Sequence, residues 1–172
     1  MKALLIGRFQ PFHNGHLELV RKAASEYESV IIAIGSANLS HTQENPFTAG
    51  ERYLMIQKAL ESVGIRNFSI VPVPDINRYA VWVSHVVSLV PPFDVVLANN
   101  PLTKQLFSEA GYEVKGTPLY DRENCEATNI RKLMAEDRGW KSFVPHAVAC
   151  VIDGISGIER MRCLAESDKT AD

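Results

Sequence analysis

The 172-residue chain predicts an α/β fold: an open parallel sheet with helices on both faces and a helical C-terminal tail. Three observations predict it. Short apolar, β-branched runs alternate with stretches whose apolar residues recur every three or four positions, the pattern of strands joined by crossover helices. Residues that start and stop helices bracket those stretches. Polar and basic residues gather just after the apolar runs, where an open α/β sheet binds its ligands.

The elements follow in order. Ala3–Ile6 is the first strand, and Leu17, Val20, Ala24 and Tyr27 mark the first helix. Val30–Ile34 is the second strand, ending at Gly35-Ser36. Thr48-Ala49-Gly50-Glu51 is a capping box that opens a helix carrying Ile56, Ala59, Leu60 and Val63, with Gly64 as its C-cap. Phe68–Val73 is the third strand, and the helix after it, Val81–Val90, stops at Pro91-Pro92. Val95–Ala98 is the fourth strand. Asn100-Pro101 then supplies a cap and a first helical residue for a helix to about Glu109. Tyr112–Val114 is a short fifth strand, and Thr128 can cap a helix running through Met134. The tail adds one or two helices, one opened by the capping box Ser156-Gly157-Ile158-Glu159, and Ser167–Asp172 should fray. With no repeat, low-complexity tract or linker, residues 1–172 read as one domain whose helical tail begins at about 140.

Composition narrows the function classes. A net charge of −2 provides no general basic field for nucleic acid, although a local pocket for a small anion stays open. Cys125, Cys150 and Cys163 are odd in number and form no CxxC or Cys/His cluster, which predicts reduced thiols and no protein-held metal. No run approaches the ~20 apolar residues of a membrane span, and no signal-peptide pattern opens the chain. The expected location is the cytoplasm.

Gly7-Arg8-Phe9-Gln10-Pro11-Phe12-His13-Asn14-Gly15-His16 lies between the first strand and the first helix. Neither GxGxxG nor GxxxxGK[ST] is present, so the dehydrogenase and P-loop readings lack their defining feature. If Asn14 caps the helix, Gly15 lets a phosphate approach the first amides, where the helix dipole adds positive charge. His13 and His16, three apart, can both face that anion and donate to its oxygens. Further polar residues should share this edge: Gly35, Ser36 and His41 after the second strand, and Asp75 and Trp82 after the third. Asn99 and Asn100 follow the fourth, and Thr128 and Arg131 the fifth. A cation in the first turn of a helix, as at Arg131, is poorly placed electrostatically, which points to function. Trp82 is either a core residue or a platform for a cationic aromatic ring. Asn100 either caps its helix or reads an adenine edge, and Asp75 either shapes a turn or meets substrate.

This opening segment resembles that of the HxGH nucleotidyltransferases. Pro46-Phe47-Thr48-Ala49-Gly50-Glu51-Arg52 and Trp82 narrow the likeness to the archaeal-type nicotinamide-nucleotide adenylyltransferases. Pro91-Pro92-Phe93-Asp94 and the run from Leu106 to Val114 continue it, from Lys2 to about Leu164. The resemblance implies a Rossmann-like fold, adenylyl transfer from ATP to nicotinamide mononucleotide giving NAD and pyrophosphate, Mg²⁺ held mainly through the ATP phosphates, and a homo-oligomer, often a hexamer. It implies catalytic roles for Arg8, His13, His16 and Arg131, with His16 at the α-phosphate, His13 at the polyphosphate and the arginines clamping phosphates. Gly7, Phe9, Gly15, Asn100, Thr128 and Ile130 would bind ATP, and Gly35, Ser36, Asp75 and Trp82 the mononucleotide. The chain departs from the pattern at Glu126, where serine is usual, at Tyr79, where asparagine is usual, and at Glu44, where some members carry arginine. Rival readings are another acceptor (nicotinate mononucleotide, pantetheine phosphate or a flavin nucleotide), a fragment related to class I aminoacyl-tRNA synthetases, which lacks a KMSKS-like segment here, and a non-catalytic nucleotide-binding regulator.

Overall fold

In the computed structural model, which describes residues 1–117 and 126–167, the apolar runs form five strands. These are β1 (Lys2–Gly7), β2 (Ser29–Ile34), β3 (Phe68–Pro72), β4 (Val95–Leu97) and β5 (Glu113–Lys115). All pairings are parallel, in the order β3-β2-β1-β4-β5. The helices are α1 (Asn14–Glu26), α2 (Ala49–Ser62), α3 (Trp82–Leu89), α4 (Pro101–Glu109), α5 (Ala127–Ala135), α6 (His146–Gly154) and α7 (Gly157–Ser167). Short 3₁₀ turns at Tyr79–Val81 and Trp140–Phe143 precede α3 and α6. The predicted alternation is therefore the one the chain adopts.

Because successive strand residues point to opposite faces, the buried strands divide between two cores. Ala3 and Leu5 of β1, Val30, Ile32 and Ile34 of β2, and Val95 and Leu97 of β4 enter the larger core with residues of α1, α2, α5, α6 and α7. Leu4, Ile31, Ala33 and Val96 enter the smaller one with Val83 and Val86 of α3 and Phe107 of α4. Helices thus cover both faces, and the tail lies on the face of α1 and α2, with α6 against α2 and α7 against α5. Trp140, expected to pack rather than bind, is 1% exposed in that core. Among the described residues no helix is long and apolar enough to cross a membrane. Cys150 and Cys163 are free thiols; Cys125 lies outside the described residues.

The caps predicted at Thr48, Gly64 and Asn100 hold. The Thr48 hydroxyl accepts from the Glu51 amide at 3.2 Å, and the Glu51 carboxylate accepts from the Thr48 amide at 2.9 Å. Asn100 accepts from the Thr103 amide at 3.0 Å, with Pro101 opening α4. At the end of α2, Gly64 (φ 76°) follows the C-cap and takes the left-handed conformation that lets it donate to Glu61 while Ile65 donates to Leu60. The caps predicted at Thr128 and Ser156 are corrected. The N-cap of α5 is Glu126, whose carbonyl accepts from the Ile130 amide at 3.0 Å; Thr128 lies inside the first turn, where its hydroxyl accepts from Arg131 instead. Ser156 has φ 52° because it ends α6 as well as preceding α7, so it lacks the extended backbone of a capping-box residue.

Glu51 also joins the tail to the start of α2. Arg160 of α7 donates to both of its carboxylate oxygens, at 2.6 and 2.8 Å, and to the Pro46 carbonyl at 3.1 Å. Burial pushes the Glu51 carboxyl up, but the hydrogen bonds from Arg160 and Thr48 outweigh it and hold it below its ordinary 4.5. A carboxyl lowered in the folded state stabilises fully above its unfolded value and loses that stabilisation as the pH falls through the folded value. Thermal unfolding followed from ~pH 6 to ~pH 3 should therefore show an acid loss of stability that is smaller in Glu51→Gln. Arg160→Ala should destabilise by about 1–3 kcal/mol at neutral pH, measured by chemical denaturation.

Candidate active site

The N-cap of α1 is His13, one residue before the predicted Asn14, and it makes a reciprocal box with His16. The Nδ1 of each ring accepts the backbone N–H of the other residue, both at 3.3 Å. The rings stack with centroids 3.5 Å apart at 21°. His16 also lies edge-on to Phe9 at 4.9 Å and stacked on Phe12 at 5.5 Å. A histidine nitrogen that accepts carries no proton, so both neutral rings hold theirs on Nε2, the nitrogen left to meet a ligand. Burial lowers His13 to about 4, and burial with the neighbouring His13 holds His16 well below its ordinary 6.5. Both side chains are therefore uncharged donors at neutral pH in the free protein. Asn14, not needed as the cap, donates to the Ser142 carbonyl at 3.0 Å and ties α1 to the tail. Gly15 stays in the first turn of α1, among the amides that point at this end of the helix.

The loop before α1 is held from several sides. Phe9 has φ 52° and is 2% exposed, and a Cβ on Gly7 would meet the Phe9 ring at 2.8 Å, so only glycine leaves room for that ring. Gln10, buried within an apolar run, exchanges two hydrogen bonds with the backbone of Phe47, at 2.9 and 3.0 Å. Arg131, 8% exposed, donates to the Gln10 carbonyl at 3.0 Å and to the Thr128 hydroxyl at 3.3 Å. Burial and the charge of Arg8 lower the Arg131 pKa, with Glu44 opposing. Arg8 itself is exposed, so a reachable cation and a buried one flank the histidine loop. The Ile130 side chain is wholly in the core, and its amide is used within α5. A cavity of about 450 Å³ opens beside Arg131, with Glu44, Thr128, Lys132 and Glu136 in its walls.

Across β1, the Gly35 amide donates to the Gly7 carbonyl at 2.9 Å, extending the β1–β2 pairing into the loops. Ser36 (φ 49°) donates its hydroxyl to Asp75 at 2.6 Å, and Asn38 accepts from the Asp75 amide at 2.7 Å. Gly35, Ser36 and Asp75, expected to lie at one edge, are thus joined there. Trp82 is half-buried at the start of α3 and meets Phe107 edge-on at 5.6 Å, so it is anchored in the smaller core without being lost inside it. The asparagines after β4 serve structure: Asn100 caps α4, while Asn99 donates to the Thr117 carbonyl at 2.8 Å and accepts its amide at 2.9 Å. His41 is exposed and shares a 2.9 Å hydrogen bond with Ser40. Among the described residues no three His, Cys, Asp or Glu side chains cluster as metal ligands.

Sequence reasoning missed two residues. Gln10 could have been noticed as an amide within the apolar run Phe9–Phe12. Arg52 carries the signal already used for Arg131, a cation in the first turns of a helix, yet it is fully buried and holds four backbone carbonyls.

The sheet order, the histidine turn at its edge and the flanking arginines define an α/β nucleotide-binding protein, and the chain belongs to the cytidylyltransferase-like family, which it matches over residues 4–133. Within that family it is similar to the nicotinamide-nucleotide adenylyltransferases of Picrophilus torridus (54% identical over 98% of this chain and 100% of that one) and Methanolobus tindarius (51%, over 98% and 96%). Its fold is shared with a bifunctional NMN adenylyltransferase/ADP ribose pyrophosphatase from Francisella tularensis, solved with AMP and a manganese ion. That likeness has a TM-score of 0.78 at 24% identity and covers 98% of this chain, which spans only 53% of the solved one.

The buried histidines set a pH dependence. A group whose pKa is lowered by folding takes up protons more readily when unfolded, so stability is full above 6.5 and declines as the pH falls towards about 4. The ligand-free protein should lose stability across that interval, and His13→Asn, which keeps a capping acceptor, should flatten the loss; calorimetry at a series of pH values checks both.

Proposed function

We propose that the chain transfers the adenylyl group of ATP to nicotinamide mononucleotide, forming NAD and pyrophosphate. The observation that carries this reading is the 54% identity, over 98% of this chain and all of the relative, to a nicotinamide-nucleotide adenylyltransferase. The site's chemistry agrees with it. The second pKa of a nucleotide phosphate is ~6, so the attacking phosphate is ionised at neutral pH and needs no general base. One of its oxygens bonds to the α-phosphorus of ATP, the α–β bridging bond breaks, and the electron pair leaves with pyrophosphate. The barrier lies in bringing two anions together and stabilising the charge that develops, a task for placed donors and cations.

In this reading His16 donates from Nε2 to the α-phosphate and His13 to the polyphosphate. Being neutral and fixed by the reciprocal cap, both are directional donors that need no reorganisation during transfer. Arg8 and Arg131 supply the positive charge, with Thr128 and the Gly15 amide completing the phosphate side. Trp82 offers a face to the cationic nicotinamide ring, beside Gly35, Ser36 and Asp75. A divalent cation, Mg²⁺ in this proposal, would neutralise phosphate charge. The donor set fits an ion carried on ATP rather than caged by protein, since the histidines use Nδ1 for the backbone and Asp75 accepts from Ser36. The exposed Tyr79, Val81, Val87 and Leu89 along one short stretch support self-association, and the free thiols Cys150 and Cys163 suit the cytoplasm.

Incubated with ATP, Mg²⁺ and nicotinamide mononucleotide, the protein should release NAD and pyrophosphate in equal amounts; no dinucleotide from this acceptor would refute the reading. His16→Ala should lower kcat by ~10²–10³ with little change in either KM. Trp82→Ala should instead raise KM for the mononucleotide, by about tenfold, and leave that for ATP in place.

A further inference from the structure

Arg52 is fully buried, and no step above uses it. Its surroundings are unusual for a buried charge, which normally finds a carboxylate. Among the described residues none lies in ion-pair range; all four hydrogen bonds go to backbone carbonyls. Nε donates to Thr48 at 3.2 Å, within the start of its own helix. Nη1 donates to Arg8 and Gly35, both at 2.8 Å, and Nη2 to Ser36 at 3.0 Å. The guanidinium therefore bridges the loop after β1, which carries Arg8 and the histidines, and the loop after β2, which carries Ser36.

Stability alone does not account for a cation there. The β1–β2 ladder already extends to the Gly35–Gly7 hydrogen bond, so the strands are paired without it. The buried side of α2 is otherwise Met55, Ile56, Ala59 and Leu60, and an apolar residue in such a row is commonly neutral or better than a buried ion. The cation also sits at the positive end of a helix and near another cation: burial and Arg8 lower its pKa to about 10, with Asp75 and Glu51 opposing. These costs fall where two loops must keep a fixed separation, and a planar guanidinium is the side chain that can hold carbonyls from both at once.

We infer that Arg52 is a positioning residue of the transfer reaction, fixing the Arg8 loop against the Gly35–Ser36 loop so that the phosphates of the two substrates are held at attack distance. The inference rests on the adenylyl-transfer reading. It predicts a defect in turnover rather than in the binding of either substrate alone.

The test compares wild type, Arg52→Lys, Arg52→Gln and Met55→Ala, the last a core control on the same helix. Lysine keeps the charge and glutamine keeps an amide donor, but neither bridges both loops. For each, folding is followed by circular dichroism and thermal unfolding, ATP and mononucleotide binding separately by calorimetry, and kcat per ATP-binding site. Arg52→Lys and Arg52→Gln should each bind ATP and the mononucleotide within about threefold of wild type, while kcat per site falls about 100-fold, the loss typical of misplaced reactants. Met55→Ala should lower the Tm and keep kcat per site. Wild-type kcat per site in either Arg52 variant, or failure of both to fold, would overturn the inference and leave Arg52 purely structural. A wild-type protein that makes no NAD would instead refute the adenylyl-transfer reading itself.

Discussion

Strand β1 is bonded on both sides, to β2 and to β4, and the chemistry of the chain depends on that central place. The first half of the chain builds outwards from β1 through β2 to β3; the second returns to the other side of β1 with β4 and β5. The loops after β1 and β4 consequently leave in opposite directions and open a crevice at the carboxyl edge. The loop that meets this crevice from β1 is the histidine loop, and α1 starts there with its positive end outward. Two cores of alternating strand residues hold β1 from both faces, so its end is a rigid platform for the residues beyond it.

From that platform the loop is held by hydrogen bonds to its own backbone rather than by packing alone. Gln10 ties it to the start of α2, Arg131 ties it to α5, and Arg52 ties it to the end of β2. The Glu51–Arg160 pair extends the same set of links into α7. Elements far apart in sequence thus converge on one short segment. The histidines at its end are neutral and mutually capped, which leaves the arginines as the source of positive charge. Arg8 repels both Arg52 and Arg131 in the free protein, a cost that bound phosphates would relieve.

Much of this was legible from residue order, and the misses share a cause. Strands, crossovers and the caps at Thr48, Gly64 and Asn100 depend on neighbours within a few positions, and they appear where periodicity and capping chemistry place them. Asn14 looked like the cap because asparagine is a better capping residue than histidine in general. His13 took the position because His16 could answer it from N3, an exchange that only a folded turn reveals. Thr128 does not cap α5 because the helix already begins at Ala127, which leaves the Thr128 hydroxyl inside the first turn to accept from Arg131. Gln10 and Arg52 are not legible locally because the partners that define them lie on other elements, Phe47 at 37 positions for Gln10, and Arg8, Gly35 and Ser36 at 44, 17 and 16 positions for Arg52.

By itself the sequence determined the fold class and the order of strands and helices. Both follow from local pattern, hydrophobic period and residue type. Only the tertiary structure decided which histidine caps α1, which nitrogen each ring leaves free, which asparagines are spent on capping, and that a buried arginine joins the two loops. Those are outcomes of backbone groups seeking partners across the sheet edge, and linear order does not record which partner each finds.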